Sequence, residues 1–179
     1  MELDLTKIKY IAKEKEDENW DFRKFLKGYL DMEVEELDSI VHKLHKKISA
    51  EIDCTACGNC CREIQVGVGK KDVEKLSKSL GVTSDQFISK YVEKTEDGDI
   101  VIKQVPCPFL RGNKCSHYDS RPEACASYPH LHKKDFVFRL FGVLDNYSVC
   151  PIVFNVYEAL KDEFESEFAE FLDEYDEFY

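Results

Sequence analysis

Cys54-Thr55-Ala56-Cys57-Gly58-Asn59-Cys60-Cys61 places four thiols within eight residues. Working outward, the other four cysteines all follow it, at Cys107, Cys115, Cys125 and Cys150, and the chain before 54 and after 150 has none. A Cys-x-x-Cys turn lets two sulfurs converge on one ion, and Gly58 can take the torsions that aim amide N–H groups at thiolates. Thiolates crowded together repel, and a cation removes that repulsion while ordering the loops that carry them. Cys54, Cys57, Cys60, Cys61, Cys107, Cys115, Cys125 and Cys150 are therefore the candidate metal ligands. The even count also permits a disulfide framework, but no secretory leader is visible to put the chain in an oxidising compartment. Inert buried thiols would scatter along apolar faces and would not crowd a Gly-Asn turn.

The adjacent pair adds a constraint. Neighbouring side chains usually diverge, so Cys60 and Cys61 fit poorly as two terminal ligands of one ion. One of them bridges a multinuclear site, or the two face different centres. His117, His130 and His132 are alternative ligands near the later cysteines. Zinc and iron–sulfur chemistry both suit sulfur-rich ligation. The run Cys54-x-x-Cys57-x-x-Cys60 resembles the ligand run of bacterial ferredoxins, but the Cys-Pro pairs come much later, at Cys107-Pro108 and Cys150-Pro151.

The rest of the chain reads as a small α+β protein with three parts: a helical arm over 1–53, a metal-centred middle over 54–155, and an acidic aromatic helix over 156–179. In the arm, Phe25, Leu26, Tyr29 and Leu30, then Leu37, Ile40, Val41, Leu44 and Ile48, recur at helix spacing. In the middle, 64–68 reads as a strand and 71–80 as a helix stopped by Gly81. Thr83 or Ser84 caps a helix through Tyr91. Asp97-Gly98 turns into a strand over 100–105, and a further strand is expected at Phe136–Phe141. At the C-terminus, Tyr157, Leu160, Phe164, Phe168, Phe171, Tyr175 and Phe178 form one aromatic stripe, and the acids beyond Glu170 oppose the helix dipole and favour fraying.

Charge narrows the partners. The chain carries a net charge of −11, divided as −4 over 1–53, +2 over 54–155 and −9 over 156–179. Nucleic acid and anionic lipid are repelled at long range, so neither is an expected partner. A protein partner for the C-terminal helix is the remaining macromolecular expectation. No apolar run reaches membrane-spanning length, and the expected location is the cytoplasm. Gly67-Val68-Gly69-Lys70 lacks the spacing of a phosphate loop and reads as a strand-end turn.

The cysteines and their neighbours resemble the YkgJ-like CxxCxxCC proteins. The matching stretches are Cys54 to Arg62, Cys107-Pro108-Phe109-Leu110, Cys115-Ser116-His117-Tyr118 through Arg121-Pro122 to Cys125, Tyr128-Pro129, and Cys150-Pro151. His117 is a departure, since an aliphatic residue often precedes that tyrosine. The resemblance implies a zinc- or iron-chelating domain: an iron–sulfur cluster or iron, alternatively zinc, with a redox, electron-transfer or sensing role. A related module in flagellin lysine-N-methylases uses an iron–sulfur centre, but that activity is not carried over, because nothing here looks like a cofactor-binding methyltransferase region; a metal-dependent enzyme of redox or group-transfer chemistry is an alternative. An adaptor with purely structural zinc is another. No Ser/His/Asp set or carboxylate pair names a reaction, so enzyme status stays open. Arg62 and Arg121 are expected to donate to cluster sulfurs or to carbonyls, and Tyr118 and Tyr128 to pack the shell of the site.

Overall fold

Asp4 starts the first helix, its carboxylate accepting from the Thr6 and Lys7 amides at 2.8 and 3.3 Å. The computed structural model describes residues 1–176, the last two by backbone alone. Three helices come first: α1 (Leu5–Glu14), α2 (Glu16–Gly28) and α3 (Val34–Ser49). Then come two single turns, α4 (Cys54–Cys57) and α5 (Cys60–Glu63), and two longer helices, α6 (Lys70–Leu80) and α7 (Ser84–Tyr91). Two small antiparallel pairs follow: β1 (Val92–Lys94) with β2 (Ile100–Ile102), and β3 (Leu110–Arg111) with β4 (Lys114–Cys115). The chain continues through α8 (Glu123–Ala126), α9 (Leu140–Tyr147), α10 (Pro151–Glu163) and α11 (Glu165–Asp176). The α+β class holds, with helix predominating. Among the described residues no helix is long and apolar enough to cross a membrane.

The chain divides into two compact units, Asp53–Tyr128, and Met1–Ile52 together with the chain from Pro129. In the second of these, the helical unit, aromatic residues make the core. Phe22 of α2 meets Tyr157 of α10 edge-on at 5.4 Å and Phe168 of α11 at 5.0 Å, and Phe25 meets Phe168 at 5.5 Å. The expected C-terminal stripe is buried from Tyr157 through Phe171. It is carried by two helices, with the break at Phe164, and α10 starts at Pro151, where the missing N–H costs nothing. The side chains of Tyr175 and Phe178, and the end of the acidic run expected to fray, lie outside the described residues.

Phe136–Phe141 is not a strand. Phe136–Arg139 forms a 3-10 turn that runs into α9. The reason lies on α3, where the buried Asp38 carboxylate accepts from the Asp135 and Phe136 amides at 2.7 and 2.8 Å and satisfies the start of a helical turn. The preceding loop holds two non-glycine residues at positive φ, His130 (65°) and Asp135 (61°). Arg139 pins that loop by donating to the carbonyls of His130, Lys133 and Lys134.

Charge is also ordered in this unit. Glu158 accepts from Lys15 at 2.5 Å and from the Tyr147 hydroxyl at 2.8 Å, and lies 3.0 Å from Lys161. Burial opposes its charge, but Lys15, Lys161 and Tyr147 outweigh it and hold the carboxyl below the usual range. Burial likewise pushes the Tyr147 phenol up, with Glu158 adding to the effect.

The cysteine unit packs a small core of Val68, Val73, Leu76, Phe87, Ile102 and Phe109, with Cys107 and Cys115 against its edge. α6 ends at Gly81 in the left-handed region, and Thr83 caps α7 with a reciprocal Gln86 contact. The strand expected at 64–68 is reduced to a bridge between Gly67 and Val101, flanked by Ile102 N–H to Val66 O (2.8 Å) and Val68 N–H to Ile100 O (2.9 Å). Gly69 is the N-cap of α6, which accounts for the glycines at 67 and 69 without any phosphate loop.

Candidate metal centre

The octapeptide folds as two helical turns joined by a left-handed glycine. Asp53 caps α4, accepting from the Thr55 amide at 2.8 Å and its hydroxyl at 2.7 Å. Gly58 ends α4 at φ 63°, its N–H bonded to Cys54 O. A Cβ there would stand 2.6 Å from the Asn113 carbonyl oxygen, so the close approach of the β3–β4 turn requires glycine. The same turn is tied to the octapeptide twice more. Asn113 Nδ2 donates to Ala56 O at 2.7 Å. Arg62 donates to Cys57 O and Gly112 O, both at 3.0 Å, and to Asn113 Oδ1. Arg62 therefore acts on carbonyls, one of the two roles expected of it, and locks the first cysteine run to the turn before Cys115.

Four thiols from three chain segments come together. Cys107 N–H donates to Cys61 O at 2.7 Å, joining α5 to the segment before β3. Cys115 lies on β4, paired with Leu110. Cys125 lies on α8, whose Glu123 amide donates to the buried Asp72 Oδ1 at 3.0 Å. Every pairing among Cys61, Cys107, Cys115 and Cys125 is close enough for the charge on one thiolate to raise the pKa of another. Burial is the larger cause in Cys107, Cys115 and Cys125, and it pushes the most enclosed, Cys125, up to about 12. For Cys61 the first cause is a hydrogen bond with the Cys60 thiol, followed by burial. Arg62 opposes the rise at Cys61, and Arg121 opposes it at Cys115 and Cys125.

The backbone N–H groups of Phe109 and Leu110 act to lower the Cys107 thiol, and that of His117 to lower the Cys115 thiol, each against the larger effect of burial. Such donors stabilise thiolate over thiol and orient a ligand before any ion binds. The set fits a thiophilic ion in chemistry: four half-buried sulfurs, backbone N–H groups near two of them and two nearby guanidinium groups. Among the described residues no three His, Cys, Asp or Glu side chains stand in an arrangement that could hold a metal ion. The four thiols are neighbours and not a closed coordination shell.

The other expected ligands have the following local surroundings. Cys54 and Cys57 form a pair at the exposed end, where burial and then the Cys57 charge raise the Cys54 thiol. Cys60 contacts Cys61, its thiol hydrogen-bonded to that of its neighbour. Cys150 is buried in the helical unit, where its carbonyl accepts from the Phe154 amide at the start of α10. His117 lies in the cysteine unit, its Nδ1 bonded to Ser79 Oγ at 2.7 Å and its ring edge-on to Phe109. His130 and His132 belong to the helical unit. There His132 faces His45, with ring centroids 6.1 Å apart. Tyr118 is exposed and stacks on Arg121 at 3.8 Å, so it packs a guanidinium and not the sulfurs.

Two holding residues escaped the sequence reading, Asn113 and Asp72. Gly112-Asn113 between short apolar runs is a hairpin signal, and Gly69 with Asp72 has capping-box spacing. A scan for sulfur ligands passes over both.

Residues 53–142 match the model of the CxxCxxCC family, described as a "putative zinc- or iron-chelating domain". The chain belongs to the CxxCxxCC family. The matched stretch contains seven of the eight cysteines, all but Cys150, and metal binding is the property the family description carries. No curated protein and no solved structure matches this CxxCxxCC chain.

Proposed function

We propose that Cys61, Cys107, Cys115 and Cys125 hold the principal metal centre of this protein, and that the metal is iron, as an iron–sulfur cluster or a mononuclear ion, with zinc as the alternative. The observation that carries this reading is the mutual approach of four thiols from three chain segments, two of which are joined by the backbone bond from Cys107 to Cys61. Cys54 acts with Cys57, the Cys60 thiol contacts Cys61, and seven thiols fall within one compact unit, which supports two centres or one multinuclear centre over a single simple site. An iron centre would supply one-electron chemistry, and hydrogen bonds to its sulfurs together with half-burial are the levers that set its potential. A redox, electron-transfer or sensing role follows from that.

Anaerobic purification with metal analysis and visible absorption tests the reading. A coloured protein with iron and charge-transfer absorption that Cys125→Ser abolishes is the expected result. Stoichiometric zinc in a colourless protein never exposed to air would overturn iron and keep the thiolate site. Full metal content in Cys125→Ser and Cys107→Ser variants would overturn the site itself.

A further inference from the structure

The helical unit leaves three large aromatic side chains in solvent beside one arginine. Trp20 is 37 % exposed, Phe141 56 % and Phe138 68 %. Trp20 and Arg23 lie one turn apart on α2, and Phe138 and Phe141 lie one turn apart where the 3-10 turn enters α9. The Trp20 and Phe141 rings meet edge-on, with centroids 5.6 Å apart. The Arg23 guanidinium lies 3.9 Å from the Phe141 centroid and 5.5 Å from that of Trp20.

Arg23 differs from four partnered cations of its unit. Lys24 pairs with Asp21 at 2.8 Å, Lys15 and Lys161 pair with Glu158, and Arg139 donates to three loop carbonyls. Arg23 Nε is buried without an acceptor, and among the described residues its guanidinium makes no hydrogen bond or ion pair. This happens in a chain with 36 acidic side chains against 25 Lys and Arg. A guanidinium carries five donors in a planar fork that matches a carboxylate. Stacking on aromatic faces orients that fork and leaves its edge for a ligand. Trp, Arg and exposed Phe in one patch are also the side chains that anchor protein interfaces.

We propose that Trp20, Arg23, Phe138 and Phe141 form a docking site for a segment of a protein partner that presents one carboxylate to Arg23 and apolar side chains to the two phenylalanines. Charge complementarity selects this occupant. The carboxylate meets the unused guanidinium donors, and the aromatic rings exclude water around the pair. The stretches 1–53 and 156–179, which supply much of the helical unit, carry −4 and −9. A highly acidic peptide, nucleic acid or anionic bilayer is therefore repelled, and the segment that fits has low net charge.

The test uses the full chain and its single tryptophan as reporter, since Trp20 is the only one. The probe is a short capped peptide with one glutamate between leucine and phenylalanine, with its glutamine counterpart as control. The glutamate peptide should shift Trp20 emission saturably. Binding should weaken about tenfold or more for the glutamine peptide and for Arg23→Ala, the size of one charge-assisted hydrogen bond. Phe138→Ser, at a highly exposed position, should weaken binding with an unchanged melting temperature. No saturable shift, equal binding of the glutamine peptide, or undiminished binding by both variants would overturn the proposal. So would a response to phosphatidylserine-rich vesicles without one to the peptide.

Discussion

The Cys107 amide donates to the Cys61 carbonyl at 2.7 Å. That bond joins the last cysteine of the first run to the first cysteine of the second, and the charge of a Cys61 thiolate acts on the Cys107 thiol. From there the β3–β4 hairpin brings Cys115 back, and Asp72 holds the turn that presents Cys125. The proposed site in this CxxCxxCC protein therefore rests on backbone bonds between segments as well as on its thiols.

Gly58→Ala should damage the site while Gly81→Ala should not. Both glycines have positive φ, 63° and 68°, so both variants lose about 1–2 kcal/mol of backbone preference. Only at Gly58 does the new methyl meet backbone, the Asn113 oxygen at 2.6 Å, whereas nothing lies within 4 Å at Gly81. Melting temperature should fall in both, and metal affinity in Gly58→Ala alone, measured by competition with a chelator.

Asp72→Ala should weaken metal binding although Asp72 is no ligand. Its Oδ2 accepts from the Gly69 amide at 2.8 Å and its Oδ1 from the Glu123 amide at 3.0 Å. Losing an acceptor for two amides costs about 1–3 kcal/mol and releases the turn that carries Cys125. A variant with wild-type chelator competition would show that Cys125 is positioned by other contacts.

Metal affinity should climb with pH through the neutral range. Burial and neighbouring thiolates raise Cys107 and Cys115, and Cys125 up to about 12, so the thiols are protonated near pH 7 and each ligand gives up a proton on binding. Raising pH removes that competition, and lowering it strengthens it. Titration of affinity against pH, with proton release followed in weak buffer, checks the sign; affinity independent of pH between 6 and 9, on the order of the range below these raised values, would contradict it.

Glu158→Gln should lower stability at neutral pH by about 2 kcal/mol, the scale of a hydrogen-bonded charge, with the loss shrinking in acid. The Glu158 carboxyl is depressed in the folded chain, net of burial, by Lys15, Lys161 and Tyr147. A depressed carboxyl contributes stability that is full above its unfolded value and is lost as pH falls through the folded one. Denaturant melts of both proteins at pH 7 and at pH 3–4, roughly the carboxylate range, should converge.

The sequence by itself determined what recurs locally. Eight cysteines in their spacing were enough for the metal-binding family, and 3.6-residue periodicity with Gly81 and Thr83 was enough for α6, α7 and the buried aromatic stripe. Thiol spacing and helix period are properties of neighbours along the chain, so they are visible there. The tertiary structure decided what depends on residues far apart in sequence. Phe136–Phe141 became helical because Asp38, on α3, accepts the amides that start the turn. The approach of Cys61 to Cys107, Cys115 and Cys125 likewise depends on segments far apart in sequence, with the Cys107 amide bonded to the Cys61 carbonyl. Asn113 and Asp72 carry no metal-site signature, since their part is to satisfy backbone groups on another segment, and that is settled only once the segments meet.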